Sequence, residues 1–279
     1  MSTTSLPAMD RAEVEARVRR TFDTVASGYD HPGSSWFDAT ARALVAEARL
    51  APGTSALDLA TGTGKVALAL AASEPRAQIV GVDLSEGMLA EAKRKAKELN
   101  LGNASFESGS FDELNYGPRF DVVTCSFGVF FVIHMAEALA RFGAQLKPGG
   151  KLLISTFSLG SFAPLNDLFL NLYRGYGFET PPPPWLRIAT TEGLSALFRD
   201  AHLPTPTVQE YDFGFELPNA ETWWDIVYNA GYRGMLQQLK PEDAEPFRQK
   251  HMADVTDLIE KQGKRRLDIR VLIASCTIG

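Results

Sequence analysis

The chain is poor in cysteine: Cys125 and Cys276 are the only two, each inside an apolar strand-like run. That argues against a disulfide framework, a thiolate metal site or a redox pair, and fits buried free thiols in a reducing compartment. No window is long and apolar enough to cross a bilayer, and the first twenty residues are polar and charged where a secretion signal would be apolar. A cytoplasmic protein without a membrane span is expected. Basic charge is also short: 28 Lys and Arg against 34 Asp and Glu leave a net charge of -6. A phosphate-backbone binder needs a basic face, so nucleic acid is not an expected partner. The two local exceptions, Lys93 to Lys97 and Lys261 to Arg266, read as solvated helix or loop surface. None of the four histidines belongs to a cluster at metal-ligand spacing, so no metal is expected.

What is present is an ordinary globular balance, 45% hydrophobic and 22% charged, in a chain long enough for one large domain with an inserted cap. Residues Met1 to about Met9 read as a loose tail. Val14, Val18, Phe22 and Val25 recur at helical spacing and lead to "VASGYDHPGSSWF", after which a second helix is expected from about Asp38 to Ala48. Short apolar runs then alternate with helical ones: "SALDLA", "QIVGVDL", "ASFESG", "FDVVTCSF", "KLLISTF", "TVQEYDFGF" and "RLDIRVLIASCTI". Such alternation specifies an α/β fold with a mostly parallel sheet covered on both faces. Ser85 is placed to cap a helix running to Leu99, "KPGG" reads as a turn ahead of the fifth strand, and Pro181 to Pro184 as a stiff spacer. Two segments exceed what the sheet needs, Ser158 to Arg187 and Pro218 to Gly263, and extra helices there are expected to form a lid or substrate cap.

The chemistry concentrates in "LDLATGTGKVALAL", Leu57 to Leu70. Asp58 ends the first strand, and the loop Ala60 to Gly64 runs straight into a helix whose amides would attract an anionic group. Gly62 and Gly64 let a ligand approach the backbone, although glycines also serve a bare strand-to-helix turn. Asp83 closes the second strand in "GVDLS", nineteen positions after Gly64, where such sheets set a carboxylate against a ribose diol. A nucleoside carrying an anion is the expected ligand. A nicotinamide dinucleotide fits poorly, because Gly62 and Gly64 are followed by Val66 and Ala67 where a third glycine would be needed.

At this point the sequence resembles the class I S-adenosylmethionine-dependent methyltransferases. "DLATGTG" resembles the first motif of that family and "GVDLSEGML" the second, while "FDVVTCSF" and "LKPGGKLLIS" resemble its later strands and the turn between them. The likeness covers about Val18 to Leu203, and the closing strand suits it. It implies a Rossmann-like, doubly wound, seven-stranded mostly parallel sheet with an N-terminal helical lid over residues 1–50. The core would take 51–217 and 264–279, and a helical cap, 218–263, would be inserted between the last two strands. It implies S-adenosylmethionine as cofactor. Ala60, Thr61, Gly62 and Gly64 would line its amino-acid portion, with Asp58 ordering that loop, and Asp83 would accept both ribose hydroxyls. Leu84 and Met88 would pack on adenine, a role Met88 shares with plain core packing. Ser110 and Phe111 would touch the adenine edge, Ser110 standing where the family often has Asp, and Ser126 and Phe127 would face the ligand near the sulfonium.

Methyl transfer from a sulfonium is an in-line displacement with a neutral leaving group, so alignment and exclusion of water supply much of the catalysis, and a general base is optional. Tyr29 in "VASGYD" matches a lid tyrosine of related quinone-biosynthesis and small-molecule enzymes. It reads as bordering the methyl group, or as a surface aromatic staple. His134 in "FFVIHM" is the candidate base, or else a helix-capping or solvent-facing residue; His31 stands in the same relation to the loop it occupies, and His202 and His251 carry no assigned role. Ring-methylating quinone enzymes carry Arg and Asn where Phe130 and Phe131 stand, which makes this pocket wall more apolar. Of the aromatics in the excess helices, Trp185, Trp223 and Tyr232 are expected nearest the substrate, with Arg233 for an acceptor carboxylate. The expected function is methylation of a small, fairly apolar or aromatic acceptor, at oxygen first. C-methylation of a quinone-type precursor and a cofactor-binding protein without turnover are the alternatives. The acceptor and the oligomeric state stay open.

Overall fold

The computed structural model describes residues 10–111, 113–180 and 182–279. The tail Met1 to Met9 and Pro181 of the proline run lie outside the described residues.

The apolar runs form strands β1 (Ser55–Leu59), β2 (Gln78–Asp83), β3 (Ala104–Ser108), β4 (Phe120–Ser126), β5 (Leu146–Phe157), β6 (Thr207–Asp212) and β9 (Arg270–Thr277). They make one seven-stranded sheet in the order β3-β2-β1-β4-β5-β9-β6. Every pairing from β3 to β5 is parallel, and β9 runs antiparallel to both β5 and β6. Leu57, Leu59, Val123, Leu152 and Ile154 are fully buried because helices cover both faces, which is why these strands read as continuous apolar runs. Each such side chain contributes about 1.5–3 kcal/mol of burial. The chain runs β1, β2, β3 outward on one side, then crosses back to β4 and β5 on the other. The carboxyl ends of β1 and β4 therefore flank the crevice where ligands bind in such sheets.

Helices α2 (Trp36–Ala48), α3 (Lys65–Ser73), α4 (Glu86–Glu98), α5 (Met135–Gly143) and α7 (Thr191–Asp200) flank the sheet. Ser85 caps α4, its Oγ accepting from Met88 N at 3.1 Å. Helix α1 (Arg11–Val25) packs on α4, where Val25, Ala26 and Met88 are buried together beside Phe22 and Tyr29. A Cβ on Gly87 would stand 3.1 Å from the Ala26 Cβ, so glycine lets the two segments sit close.

The excess segments fold as α6 (Leu165–Gly175), α8 (Ala220–Asn229), α9 (Arg233–Leu236) and α10 (Pro241–Glu260), with α10 against both α6 and α8. Their aromatics pack on one another: Phe169 meets Tyr173, Tyr232, Phe247 and His251 within 6.1 Å. Trp223 is fully buried, and its Nε1 donates to His251 Nε2 at 2.8 Å.

Two local expectations change. "KPGG" lies inside β5 as a bulge: Leu146 pairs with Phe120 and Lys151 with Val122, so the intervening residues are looped out, aided by left-handed Gly149. The sixth and last runs are each broken. The Asp212 side chain accepts from Gly214 N at 2.9 Å, and the short pieces β7 (Phe215–Glu216) and β8 (Arg266–Leu267) pair with each other.

Candidate active site

The glycine loop is held by two carboxylates with different duties. Asp58 is buried at the end of β1. Its oxygens accept from Thr124 Oγ1 at 2.6 Å, from Thr61 Oγ1 at 2.6 Å and from Ala67 N at 3.2 Å, which pins the loop to β4 and to the start of α3. Burial pushes its pKa up to about 6. Asp83, at the end of β2, accepts from Gly62 N at 2.8 Å on one oxygen and from Ser85 N at 2.9 Å on the other. Burial raises its pKa as well, against the pull of those backbone bonds. Gly62 has a φ of 54° and open space where a Cβ would stand, so its backbone faces the cavity bare.

At the start of the loop Ala60, and after β4 Phe127, both hold left-handed backbone, at φ of 51° and 53°. Each costs about 1–2 kcal/mol, and strain of this kind gathers at ligand sites. Between them Gly128 is required by crowding, since a Cβ there would stand 2.4 Å from the Ala60 Cβ.

These elements enclose a cavity of about 1230 Å³, counting its open mouth. Across the strand ends it is lined by Ser110 and Phe111 after β3, Asp83 and Leu84 after β2, the glycine loop after β1, and Ser126 and Phe127 after β4. Met88 lines it too, as do Tyr29, Phe131 and His134. Every cofactor position expected from the sequence except Gly64 faces this one cavity. Gly64 caps α3 in left-handed conformation, with a Cβ position 3.1 Å from Ala92. Ser126 Oγ shares a hydrogen bond with Ser155 Oγ at 2.8 Å.

Five rings form a continuous chain along the cavity wall. Phe131 meets Phe22 edge-on at 5.3 Å, Phe22 meets Tyr29 at 6.0 Å, Tyr29 stacks on Phe37 at 5.3 Å, and Phe37 meets Phe127 at 5.3 Å. All five line the cavity. Burial, with Asp83 and Asp30 nearby, keeps the Tyr29 hydroxyl protonated far above its usual range. His134 sits at the rim, mostly exposed, with Nδ1 4.0 Å from a Glu137 oxygen.

Five residues expected at the substrate do not line the cavity. Trp223 and Tyr232 turn into the α6–α8–α10 core, where Tyr232 donates its hydroxyl to Asn166 at 2.9 Å and Trp223 its indole to His251. Their polar atoms are satisfied there, so burial away from the ligand is cheap. Trp185 packs edge-on against Phe157 at 5.8 Å, Arg233 lies 3.9 Å over the Tyr228 ring, and Phe130 is buried beneath its loop. Sequence reasoning expected an N-terminal helical lid but did not name the α1 residues that line the cavity: Arg11, Val14, Glu15, Val18 and Phe22. Their spacing marked an amphipathic face, but nothing in it said which surface that face covers. Asp30 was missed as well. It accepts from Thr63 Oγ1 at 2.8 Å and Lys95 Nζ at 2.6 Å, tying the Tyr29 loop to α4 and to the glycine loop. Its burial would raise the carboxyl, but Lys95, Thr63 and Lys65 outweigh that and hold its pKa down.

Comparison with known proteins gives the site its context. The Methyltransferase domain family matches residues 56–150. The ubiquinone/menaquinone biosynthesis C-methyltransferase UbiE of Syntrophotalea carbinolica is 39% identical over 169 residues, 59% of this chain and 69% of that one. The enzyme of the same name from Geotalea uraniireducens is 34% identical over 230 residues, covering 78% of this chain and 89% of its own. The chain belongs to the class I S-adenosylmethionine-dependent methyltransferases. A solved phosphoethanolamine N-methyltransferase 2 of Haemonchus contortus, in complex with S-adenosylhomocysteine, shares the fold at a TM-score of 0.57 and 14% identity, over 97% of this chain and 60% of that one. The residues present are compatible with the S-adenosylmethionine of this family: bare backbone at Gly62, a carboxylate at Asp83, and a chain of aromatic rings along the cavity. No helix among the described residues is long and apolar enough to cross a membrane.

Proposed function

We propose that this methyltransferase transfers a methyl group to a small, largely apolar, electron-rich ring, with carbon as the accepting atom. S-adenosylmethionine, when bound, supplies the methyl on a sulfonium. Asp83 would hold the ribose diol, the Gly62 backbone the amino-acid tail, and Leu84 and Met88 the adenine. The chain of five rings carries the reading. Its faces attract the sulfonium charge, and its bulk excludes water while leaving an apolar seat for the acceptor. Tyr29 stays protonated, so it acts as a wall and a hydrogen-bond donor, not as a base. His134 at the rim is the group placed to take a proton from an acceptor hydroxyl.

The relatives' printed activity, C-methylation in quinone biosynthesis, supports carbon. Transfer to oxygen is the second reading, and one observation favours it: Phe131 presents a ring to the cavity where the resembling ring-methylating enzymes carry a polar residue. The test is incubation with methyl-labelled S-adenosylmethionine and a panel of alkyl hydroquinones, naphthols, catechols and short carboxylates, with the label located by NMR. A ring-carbon product is expected. An ether product selects the second reading, and label only on carboxylates, or on nothing while the cofactor binds, refutes both.

A further inference from the structure

The cavity has a direction. Its β1 and β4 end carries the glycine loop and the aromatic chain, Asp83 stands at β2, and the β3 end is closed by Ser110 and Phe111. With a ribose at Asp83 and the sulfonium in the box formed by those rings, the nucleobase falls at the β3 end. There α1 lays a carboxylate into the site: Glu15 lines the cavity, and one of its oxygens accepts from Ser110 Oγ at 2.7 Å. Its second oxygen receives no hydrogen bond from the described residues. Adenine offers an amino group at its outer edge, and a carboxylate is the acceptor that such a donor prefers.

We infer that Glu15 of the N-terminal helix reads the adenine amino group, so that base recognition in this protein is completed by α1 and not by the sheet alone. The inference rests on the cofactor placement above. Ser110 holds Glu15 in position, and Arg11, one turn earlier on the same face, lines the same part of α1. A second contact fixes the far end of the helix. Asp23 accepts from Ser85 Oγ at 2.5 Å and from Gly87 N at 3.1 Å, and Ser85 N in turn donates to Asp83. Helix α1 is thus fastened on both sides of the nucleoside, and α1 must let go before or together with a bound nucleoside.

The test is calorimetric titration of the full chain with S-adenosylhomocysteine and with its inosine counterpart, in which a carbonyl oxygen replaces the base's amino group. The wild type is expected to prefer the amino form by tenfold or more, on the order of one charge-assisted hydrogen bond. Glu15→Ala should weaken the amino form about tenfold and leave the inosine form within about threefold, collapsing the preference. Glu15→Gln, whose amide can donate to the carbonyl, should bring the two ligands level, and its unchanged melting temperature would certify the fold. If both variants keep the wild-type preference, Glu15 is only a strap on Ser110 and the inference falls. If neither ligand binds the wild type, the cofactor placement itself is wrong and the inference goes with it.

Discussion

Replacing Asp83 by asparagine tests the site at its most informative atom. A carboxylate offers about four acceptor lone pairs. Gly62 N donates to one oxygen and Ser85 N to the other, with the Leu84 N–H also favouring the carboxylate, and the acceptor capacity that remains suits a vicinal diol. Asparagine supplies a single acceptor oxygen, and its amine must face either Gly62 N or Ser85 N, donor against donor. One ribose bond is lost outright and the other loses its charge assistance, together about 3 kcal/mol, or roughly a hundredfold to two-hundredfold in Kd. Folding stability should move by less than about 1 kcal/mol, because removing a buried charge offsets the one unsatisfied backbone donor. Calorimetry with S-adenosylhomocysteine and with a ligand lacking both ribose hydroxyls separates the terms: the wild type should discriminate strongly between them and Asp83→Asn weakly. An Asp83→Asn protein that binds S-adenosylhomocysteine within about threefold of wild type, or keeps the full discrimination, refutes the reasoning.

Four further outcomes are expected. Tyr29→Phe should keep cofactor affinity within a few-fold, because the ring contacts to Phe22 and Phe37 survive, whereas Tyr29→Ala opens the box and should weaken binding about tenfold or more; equal effects would place the importance in the hydroxyl. Gly128→Ala forces a Cβ to 2.4 Å from Ala60 and 2.9 Å from Cys125 Sγ, so urea unfolding should show a loss of about 1–3 kcal/mol along with weaker cofactor binding. Asp23→Ala removes the acceptor for Ser85 Oγ and Gly87 N and should speed cofactor dissociation measured by stopped-flow competition, with hydrogen exchange rising in α1. For His251, burial holds the pKa down to about 4 from 6.5, with Asp254 opposing weakly; stability is complete above pH 6.5 and falls by about 3 kcal/mol as pH drops through 4. Asp58, raised to about 6, works in the opposite sense between pH 4 and 6. The readout is therefore the difference between wild type and His251→Gln, which keeps an acceptor for Trp223, in urea titrations at pH 7 and pH 4.5; identical slopes would refute it.

The sheet was legible because its residues answer to one local rule. Runs such as "LDLA" and "VVTC" are largely apolar since both faces are covered, and the turns after them carry glycines. That Asp58, Gly62, Asp83 and Ser126 would line one cavity was legible for the same reason: all sit at strand ends or in the loops just after them, and strand ends are visible in sequence. Helix α1 was legible as part of a lid, but the residues it presents and the contacts that seat it were not. Val14, Val18 and Phe22 announce an apolar face, but a helix tethered by a loop can set that face against any surface, and the contacts that fix it, Asp23 on Ser85 and Glu15 on Ser110, join residues 62 and 95 positions apart. Trp223 and Tyr232 failed in the opposite direction. Aromatic density in extra helices says that a core exists there, and says nothing of whether the core opens onto a ligand.

That failure reassigns the inserted helices. Helix α9 touches α1, and α8 touches the loop at residues 32–34. A Cβ on Gly234 would stand 3.1 Å from Thr21 Oγ1, one on Gly28 would collide with Asn229, and His31 Nε2 lies 3.3 Å from an Asp225 oxygen. The insertion therefore stands behind the N-terminal segment and sets how α1 and Tyr29 lie over the cavity, while its aromatics hold the insertion itself together. On the proposed function, acceptor selectivity would then belong to the rings that line the cavity, above all Phe22 and Phe131, which come from α1 and from the loop after β4. A change at Trp223 would reach the acceptor only by loosening that backing. It should lower stability first and alter KM for any acceptor only in proportion, whereas Phe131→Asn, which leaves the insertion intact, should change which acceptors are methylated at little cost in stability.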